Sequence, residues 1–381
     1  MAAAIICELN PFHNGHQYLL ETARRITGEP VLAVMSGSFV QRGEVAVCSK
    51  FERAETALRH GADLVVELPA VYAVANAQRF ARGGVNIAKA FGDVHTLAFG
   101  CETDDLEALQ AAADAFKNSD VNACVAALMK DGAYYPQAFE QAVRRFCGDR
   151  AADVLTSPNN ILAVEYLRAL DGSGIRPLPI LRRGVAHDSR EACGGFMSAS
   201  QLRAWLREGR DISAYTPQAP QEITYPGALE RALLFRFRSM RAEEWRRLPE
   251  VGEGLEHRIV SAVSENNSVE EIISTVKTKR YTHARLRRIF ACAALGITEA
   301  LQSQTATYAR VLGFTEEGAA LMKNCSFEVV TSVAKALKNS GSTAFLEKDL
   351  LASDLSALAY KQIKSCALDY RTKIIRVNRA K

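Results

Sequence analysis

Two histidines near the start of the chain have a spacing that suits phosphate chemistry, in the string His13-Asn14-Gly15-His16. They follow a short apolar run, residues 2–7, and precede residues 16–26, whose apolar side chains have helical spacing. The first turn of a helix presents unpaired N–H groups and a partial positive charge, so it attracts anions. Imidazoles there can donate hydrogen bonds to phosphate oxygens, including those that gain charge during attack at an α-phosphate, and Gly15 lets a nucleotide approach the backbone. We therefore predict that His13 and His16 are catalytic residues of a nucleotide site.

A second group of polar residues stands at the start of a predicted helix, within residues 197–203. Ser198 and Ser200 supply hydroxyl groups, and Arg203 follows about one turn later. Hydroxyls, backbone N–H groups and a guanidinium can together bind a phosphate, because a guanidinium can hold two oxygens at once. The alternative is that Ser198 or Ser200 only caps the helix. Because the histidines point to the same ligand, we favour the phosphate interpretation.

Residues 277–288 form a basic segment without acidic residues. Tyr281 and His283 within it could stack on bases. Lysine and arginine bind nucleic-acid phosphates without reading the base sequence, so we predict an RNA-binding surface at Lys277, Lys279, Arg280, Arg285, Arg287 and Arg288. A second basic run, residues 361–381, carries seven Lys/Arg against one acid, Asp369. The alternative is that both runs are merely solvated faces.

The first half of the chain alternates strand-like and helical patterns. Amphipathic stretches of helical length separate strand-like apolar runs at residues 2–7, 31–35, 63–68, 96–100 and 177–181. This alternation is typical of βαβ units and predicts an α/β fold with a Rossmann-like, doubly wound parallel sheet. Ligands of such sheets bind at the carboxyl ends of the strands, which is where the histidine turn falls.

We expect two domains. The first, residues 1–216, contains the sheet and a helical, alanine-rich insertion at 106–150. The second, residues 217–381, is expected to be mainly helical, because strand signals mostly vanish after Pro217. It would carry the basic RNA-binding surface. Its predicted helices cover residues 229–242, 255–263, 269–279 and 283–295.

Composition places the chain among ordinary globular proteins. Its 381 residues carry a formal net charge of only +4, so net charge alone implies no nucleic-acid partner. The nine cysteines are odd in number and lack zinc-type spacing, which favours free thiols in a reducing cytosol. The sequence contains neither a signal-peptide pattern nor an apolar stretch of membrane-spanning length. We expect a cytoplasmic protein with neither a membrane nor DNA as a partner.

Beyond these motifs, several strings resemble those of the bacterial tRNA(Met) cytidine acetate ligase family, which belongs to the nucleotidyltransferases with a His-x-Gly-His motif. The resemblance extends from residue 1 to past residue 310. Leu9 stands where the family commonly has tyrosine, and Ser38 where it commonly has asparagine or histidine; both differences leave the phosphate site intact. The strings are residues 8–16, 34–44, 63–69, 99–100, 158–162 and 279–282.

The resemblance implies an ATP-dependent ligase. Such enzymes activate acetate with ATP to give acetyl-adenylate and pyrophosphate, and then acetylate N4 of the wobble cytidine of elongator tRNA(Met). Mg²⁺ would be held chiefly by ATP, because no cluster of acidic residues marks a protein metal site. Two alternatives are an adenylyltransferase for a small metabolite, which would not need a basic helical domain, and an RNA-binding protein with a relic nucleotide pocket.

The resemblance also implies which residues contact ATP. The first turn matches the family's cradle for the phosphates and the adenosine. Gly100 matches a residue beneath the nucleotide, and Asn159 or Asn160 matches a polar contact. Arg183, with Arg182 as the alternative, matches a basic contact. Together with the serine and arginine group, the predicted ATP-binding residues are Cys7, Glu8, Leu9, Asn10, Pro11, Phe12, His13, Asn14, Gly15, His16, Gly100, Asn159, Asn160, Arg183, Ser198, Ser200 and Arg203.

The loop of residues 36–44 follows a predicted strand end and combines glycines with polar groups. Gln41 and Arg42, with the downstream Lys50, could face acetate or the polyphosphate. The loop could also be an ordinary surface loop, and Lys50 could equally belong to a solvated first helical turn.

Overall fold

The computed structural model of the chain describes residues 1–183, 194–339 and 343–379. In chain order, the strands of these ranges are β1 (Ala2–Cys7), β2 (Val31–Ser36), β3 (Phe39–Val40), β4 (Glu44–Val45), β5 (Leu64–Leu68), β6 (Val94–Cys101), β7 (Arg176–Leu181), β8 (Tyr308–Phe314), β9 (Glu328–Val330) and β10 (Ile375–Arg376).

The α-helices of the same ranges, also in chain order, are α1 (Asn14–Thr27), α2 (Lys50–Arg59), α3 (Ala70–Ala73), α4 (Ala77–Ala90), α5 (Leu106–Asp114), α6 (Ser119–Lys130), α7 (Tyr135–Cys147), α8 (Asp149–Asp153), α9 (Pro158–Leu170), α10 (Ala199–Arg207), α11 (Glu230–Ser239), α12 (Ala242–Arg246), α13 (Leu255–Glu265), α14 (Val269–Val276), α15 (His283–Leu295), α16 (Glu299–Gln302), α17 (Glu316–Leu321), α18 (Val333–Asn339), α19 (Thr343–Ala357) and α20 (Leu368–Arg371).

Five parallel strands form the centre of the sheet, in the order β5-β2-β1-β6-β7. Alternate residues of β1 enter two different cores. Ala4 and Ile6 pack in a cluster that includes α4 and α9, and Ile5 and Cys7 pack in a cluster that includes α1 and α2. Because helices cover both faces, these strands are apolar at almost every position. The predicted α/β fold with a doubly wound parallel sheet is confirmed.

Strands from late in the chain extend this sheet beyond β5. Strand β8 pairs antiparallel with β5, and both β9 and β10 pair parallel with β8. The expectation that strand signals mostly end after Pro217 is therefore wrong for Tyr308–Phe314, which is an almost fully buried strand. The division of the chain at residue 216 stays a prediction, and the sheet takes strands from both sides of it.

A buried group of charged residues joins β5 to the last part of the chain. The Lys50 ammonium lies 2.8 and 3.0 Å from the carboxylate oxygens of Glu67, and 2.8 Å from Asp369. Arg310 of β8 pairs with Glu67 at 2.9 Å and also with Asp369. All four side chains are almost fully buried. Lys50 therefore serves neither of the roles considered from the sequence, because it is not solvated and its charge is already paired.

The helices after the first sheet strands form two further cores. Helices α11 to α15 surround Trp245, with Phe237, Ile259 and Phe290 among its buried neighbours. Helices α6 and α7 pack around Val121, Phe139 and Val143 within the predicted insertion. The predicted helix at 283–295 is confirmed as α15, His283–Leu295.

The cysteines of the described residues are free thiols, and Cys366 among them is exposed. Cys193 lies outside the described residues. None of the helices in the described ranges combines the length and the hydrophobicity that a membrane span requires.

Candidate active site

The histidine turn connects the central strand β1 to α1. His13 is the N-cap of α1, and its Nδ1 accepts a hydrogen bond from the Gly15 N–H at 3.0 Å. Because Nδ1 is an acceptor, the neutral His13 ring carries its proton on Nε2, which can then donate to a ligand. A Cβ at position 15 would lie 2.9 Å from the His13 ring. A side chain at that position would therefore force the capping imidazole to shift.

The two histidine rings stack on each other. Their centroids are 3.7 Å apart, with an angle of 23° between the ring planes. Burial lowers the pKa of His13 to about 3, assisted by the positive charges of Arg182 and Arg203. Burial also lowers the pKa of His16 well below its usual value, assisted by His13 and Arg182. The His16 Nδ1 is buried without a hydrogen-bond partner among the described residues. The pair is thus neutral at physiological pH and keeps hydrogen-bonding capacity for a ligand.

A cavity opens beside this turn, next to the carboxyl ends of β6 and β7. Gly100, near the end of β6, forms part of its wall. Arg182 and Arg183 both line it, so the structure brings both candidate arginines to the site. The Arg183 guanidinium lies 4.5 Å from the centre of the Tyr18 ring. The full wall consists of His13, Gly15, His16, Tyr18, Leu19, Gly100, Ile180, Leu181, Arg182, Arg183, Phe196 and Met197.

The serine and arginine group adjoins the histidine turn. Ser198 is the N-cap of α10 and accepts a hydrogen bond from the Gln201 N–H at 3.2 Å, so the capping alternative holds for this residue. Arg203 donates from Nη1 to the Asn10 carbonyl at 2.9 Å and from Nη2 to the Ser200 hydroxyl at 3.3 Å. Arg203 therefore connects α10 to the loop that presents the histidines.

Other residues of the first turn are used to build the loop. Asn10 accepts a hydrogen bond from the Val47 N–H at 2.7 Å. The Asn14 side chain donates to the carbonyls of Gly195 and Ala214 at 2.9 and 3.1 Å. The remaining predicted members of the turn, which are buried or half-buried outside the cavity wall, are Cys7, Glu8, Leu9, Pro11 and Phe12.

The predicted pair of asparagines does not line the cavity. Asn160 accepts a hydrogen bond from the Glu102 N–H at 2.8 Å, and its own N–H donates to the Glu102 carboxylate at 3.1 Å. The Asn159 amide also donates to that carboxylate. Both residues therefore hold the segment that follows Gly100 at the end of β6.

Arg53, which the sequence analysis did not single out, is a buried support of the site. Its guanidinium donates to the carbonyl of Glu8, which follows β1, to that of Ser36 at the end of β2 and to that of Gly37. Burial lowers the pKa of Arg53, and the site compensates by offering three acceptors. A single arginine on the apolar face of a predicted helix was the only sequence signal for it.

Most of the predicted RNA-binding cations lie against acidic residues from elsewhere in the chain. Arg280 pairs with Glu253. Arg288 donates to the Glu250 carboxylate at 3.2 Å, and Arg285 donates to the Glu250 carbonyl at 2.7 Å. Arg285 and Arg288 therefore help to fix α15 against the segment before α13, and Arg280 ties the chain before α15 to the same segment.

Arg287 connects α15 to the small antiparallel pair β3–β4. Its guanidinium donates to Glu44 of β4 and, at 3.0 Å, to Glu270 of α14. Lys277 and Lys279 differ, because both are exposed and neither forms an ion pair with a residue in the described ranges. The segment thus contains two kinds of cation, those paired within the protein and those that face solvent.

Known proteins of one class resemble this chain over nearly its whole length. The sequence profile of the HIGH nucleotidyl transferases matches residues 1–370. A protein of Thermoanaerobacter sp. named tRNA(Met) cytidine acetate ligase is 35% identical over 98% of this chain and 99% of its own length. A protein of the same name from Caldanaerobacter subterraneus is 36% identical over 99% of this chain and 100% of its own length. The chain belongs to the HIGH nucleotidyl transferases and, within them, to the tRNA(Met) cytidine acetate ligase family.

Two crystal structures of Thermotoga maritima TmcAL share the fold. The apo form has a TM-score of 0.92 and 28% sequence identity, covering 99% of this chain and all of that chain. The form bound with alpha-thio ATP has a TM-score of 0.89 and 29% identity, with the same coverage. That neighbour therefore binds an ATP analogue on the same architecture.

Proposed function

We propose that this chain joins acetate to tRNA at the expense of ATP. It activates acetate as acetyl-adenylate and transfers the acetyl group to N4 of the wobble cytidine of elongator tRNA(Met). The observation that carries the proposal is the neutral, stacked pair of His13 and His16 at the amino end of α1, beside a cavity at the carboxyl edge of the sheet. The names of the relatives supply the substrates. A tRNA substrate implies that the protein works in the cytoplasm.

In the first step an acetate oxygen attacks the α-phosphorus of ATP, and the bond to the oxygen that bridges the α- and β-phosphorus breaks. The Nε2–H of His13 is oriented to donate to a phosphate oxygen, because Nδ1 is occupied by the Gly15 N–H. Since acetate is already ionised, the histidines need not remove a proton. They stabilise the charge that grows on the phosphate oxygens in the transition state, with no reorganisation at that moment.

In the second step the N4 amine attacks the acetyl carbonyl carbon, AMP leaves and N4 loses a proton. We propose that ATP is held by the histidine turn and Gly100, with Arg183 or Arg182 as the basic contact, and that Asn159, Asn160, Ser198, Ser200 and Arg203 hold the surrounding loops.

Mg²⁺ bound to the triphosphate would neutralise the charge of the leaving pyrophosphate. The described residues include no group of three or more His, Cys, Asp or Glu side chains that could hold a metal ion. The charged and titratable side chains of the cavity wall are histidines and arginines, with no carboxylate to bind a metal ion. These residues therefore suit a metal ion that is held by ATP oxygens and water.

We propose that the RNA lies along the segment of Lys277, Lys279 and Arg280 and along α15, with Arg285, Arg287 and Arg288 at its edge. Lys277 and Lys279 support the proposal most directly, because their exposed ammonium groups can bind phosphates without first losing a partner.

The test is ATP–pyrophosphate exchange with acetate, followed by transfer of labelled acetate to a tRNA(Met) transcript. A transcript with uridine at the wobble position is the matched control and should accept no acetyl group. Exchange with a nucleotide or phosphopantetheine substrate but not with acetate would favour a small-metabolite adenylyltransferase. Tight tRNA binding without any exchange would favour an RNA-binding protein with a relic nucleotide pocket.

A further inference from the structure

Arg207, the last residue of α10, carries buried N–H donors that no described residue of the protein accepts. Its Nε and Nη2 atoms are buried, and neither has a hydrogen-bond acceptor among the residues that the structure describes. Burial lowers the pKa of Arg207, and the nearby Glu44 acts in the opposite direction. The Glu44 carboxylate is bonded to Arg287, and it accepts no hydrogen bond from Nε or Nη2 of Arg207. Buried N–H donors of a charged guanidinium are costly when they lack acceptors, and neither Nε nor Nη2 finds one among the described residues. Such a group suits an anion that comes from outside the protein.

The position of Arg207 distinguishes it from the arginines of the nucleotide cavity. It follows Arg203 by four residues in α10, so the two side chains share one helical face. Arg203 is bonded to Asn10 in the histidine turn, and Glu44, whose charge acts on both arginines, is bonded to Arg287 of α15. Arg207 does not line the cavity. It therefore lies between the nucleotide site and the basic helix.

An RNA that lies along α15 and places one base at the nucleotide cavity must pass through this interval. Its backbone carries a phosphate at every nucleotide, and the planar N–H groups of arginine match phosphate oxygens. We propose that Arg207 binds a backbone phosphate of the RNA substrate, next to the nucleotide that is modified. This inference rests on the proposed function. The β- and γ-phosphates of ATP present the same chemistry, and the experiment below separates the two sources.

The experiment compares Arg207→Gln, Arg207→Lys and the matched control Arg210→Gln. Arg210 lies three residues later, is more than half exposed and pairs with Glu208 at 2.8 Å. Three quantities are measured on the full chain: acetate-dependent ATP–pyrophosphate exchange without RNA, kcat/KM for acetylation of tRNA(Met), and the dissociation constant of that tRNA over a salt series.

We expect Arg207→Gln to lower kcat/KM for tRNA about tenfold or more and to keep exchange within about twofold of the wild type. The slope of log K against log salt should fall by about 0.7, as for one lost phosphate contact. Arg207→Lys should recover part of the tRNA affinity, and Arg210→Gln should behave as the wild type.

Two results would overturn the inference. If exchange falls as much as transfer, the bound anion is the triphosphate of ATP. If Arg207→Gln matches Arg210→Gln in every measurement, Arg207 binds no ligand phosphate. Absence of acetate-dependent exchange in the wild type would instead contradict the proposed function, and the tRNA affinity would still test Arg207 because binding requires no acetate.

Discussion

The histidine turn and the basic helix α15 are both helix starts that the sequence marked as functional, and the structure treats them differently. At the turn, His13 and His16 both line a cavity, and the His16 Nδ1 has no hydrogen-bond partner among the described residues. At α15, Arg287 and Arg288 are already bonded to carboxylates. A motif of four residues defines its own geometry within one helical turn. A run of charges does not, because the partner of Arg287, Glu44, is 243 residues away in the chain.

The charged and imidazole groups of these two regions thus fall into two kinds. Some are available to a ligand, and others are already bonded within the protein. Available groups should affect chemistry or binding when they are removed, and groups already in use should affect stability. The following substitutions test this distinction, from the largest expected effect to the smallest.

His16→Ala should reduce acetate-dependent ATP–pyrophosphate exchange about 100- to 1000-fold, because a preorganised donor or acceptor at the α-phosphate is lost. Its dissociation constant for tRNA should stay within about twofold of the wild type. His95→Ala is the matched control, since His95 is an exposed histidine on β6 outside the cavity wall. Full exchange activity of His16→Ala would remove this residue from the chemistry.

Arg287→Ala should lower the free energy of unfolding by about 1–2 kcal/mol, because it leaves the half-buried Glu44 without its partner. Urea denaturation measures this effect. Arg59→Ala breaks an exposed pair with Glu55 and should cost about 0.5 kcal/mol or less. If Arg287→Ala is as stable as Arg59→Ala and also flattens the salt dependence of tRNA binding, the residue faces RNA and not the protein.

The double substitution Lys277→Ala with Lys279→Ala should weaken tRNA binding about tenfold and reduce the salt slope by about 1.4. It should leave exchange and the unfolding midpoint unchanged, because these lysines are exposed. Lys89→Ala with Lys130→Ala removes two exposed lysines elsewhere as a control. Equal tRNA affinity of the two double variants would contradict the proposed surface.

The smallest expected effect is that of pH: the rate of ATP–pyrophosphate exchange should change little between about pH 6 and 8. The folded pKa of His13 is about 3, and that of His16 is also lowered, so neither imidazole gains a proton in this range. Stability responds differently, because the unfolded histidines titrate near 6.5. As pH falls below about 6.5 the unfolded chain binds protons that the folded chain does not, so the free energy of unfolding decreases. A bell-shaped exchange profile centred in this range would contradict the neutral pair.

The sequence predicted those parts of the molecule that depend on neighbouring residues. The strand that precedes the histidine turn, the helix that begins at it and the bounds of α15 all follow from local spacing and helix start signals.

The sequence did not predict features that require distant partners. Strand β8 pairs with β5, although about 240 residues separate them. Lys50 was considered as a ligand contact because the sequence cannot show that Glu67 and Asp369 neutralise its charge. Arg53 was missed for the same reason, since its acceptors are backbone carbonyls at the ends of two strands.

The antiparallel pairing of β8 with β5 has a consequence for shortened versions of the protein. A chain that ended at residue 216 would keep the histidine turn but would leave one side of β5 without backbone hydrogen bonds, and Glu67 without Arg310. An uncovered strand edge readily pairs with other chains, so such a fragment should aggregate and not fold alone. A soluble domain that contains the nucleotide site thus requires β8, which begins nearly a hundred residues beyond the predicted boundary.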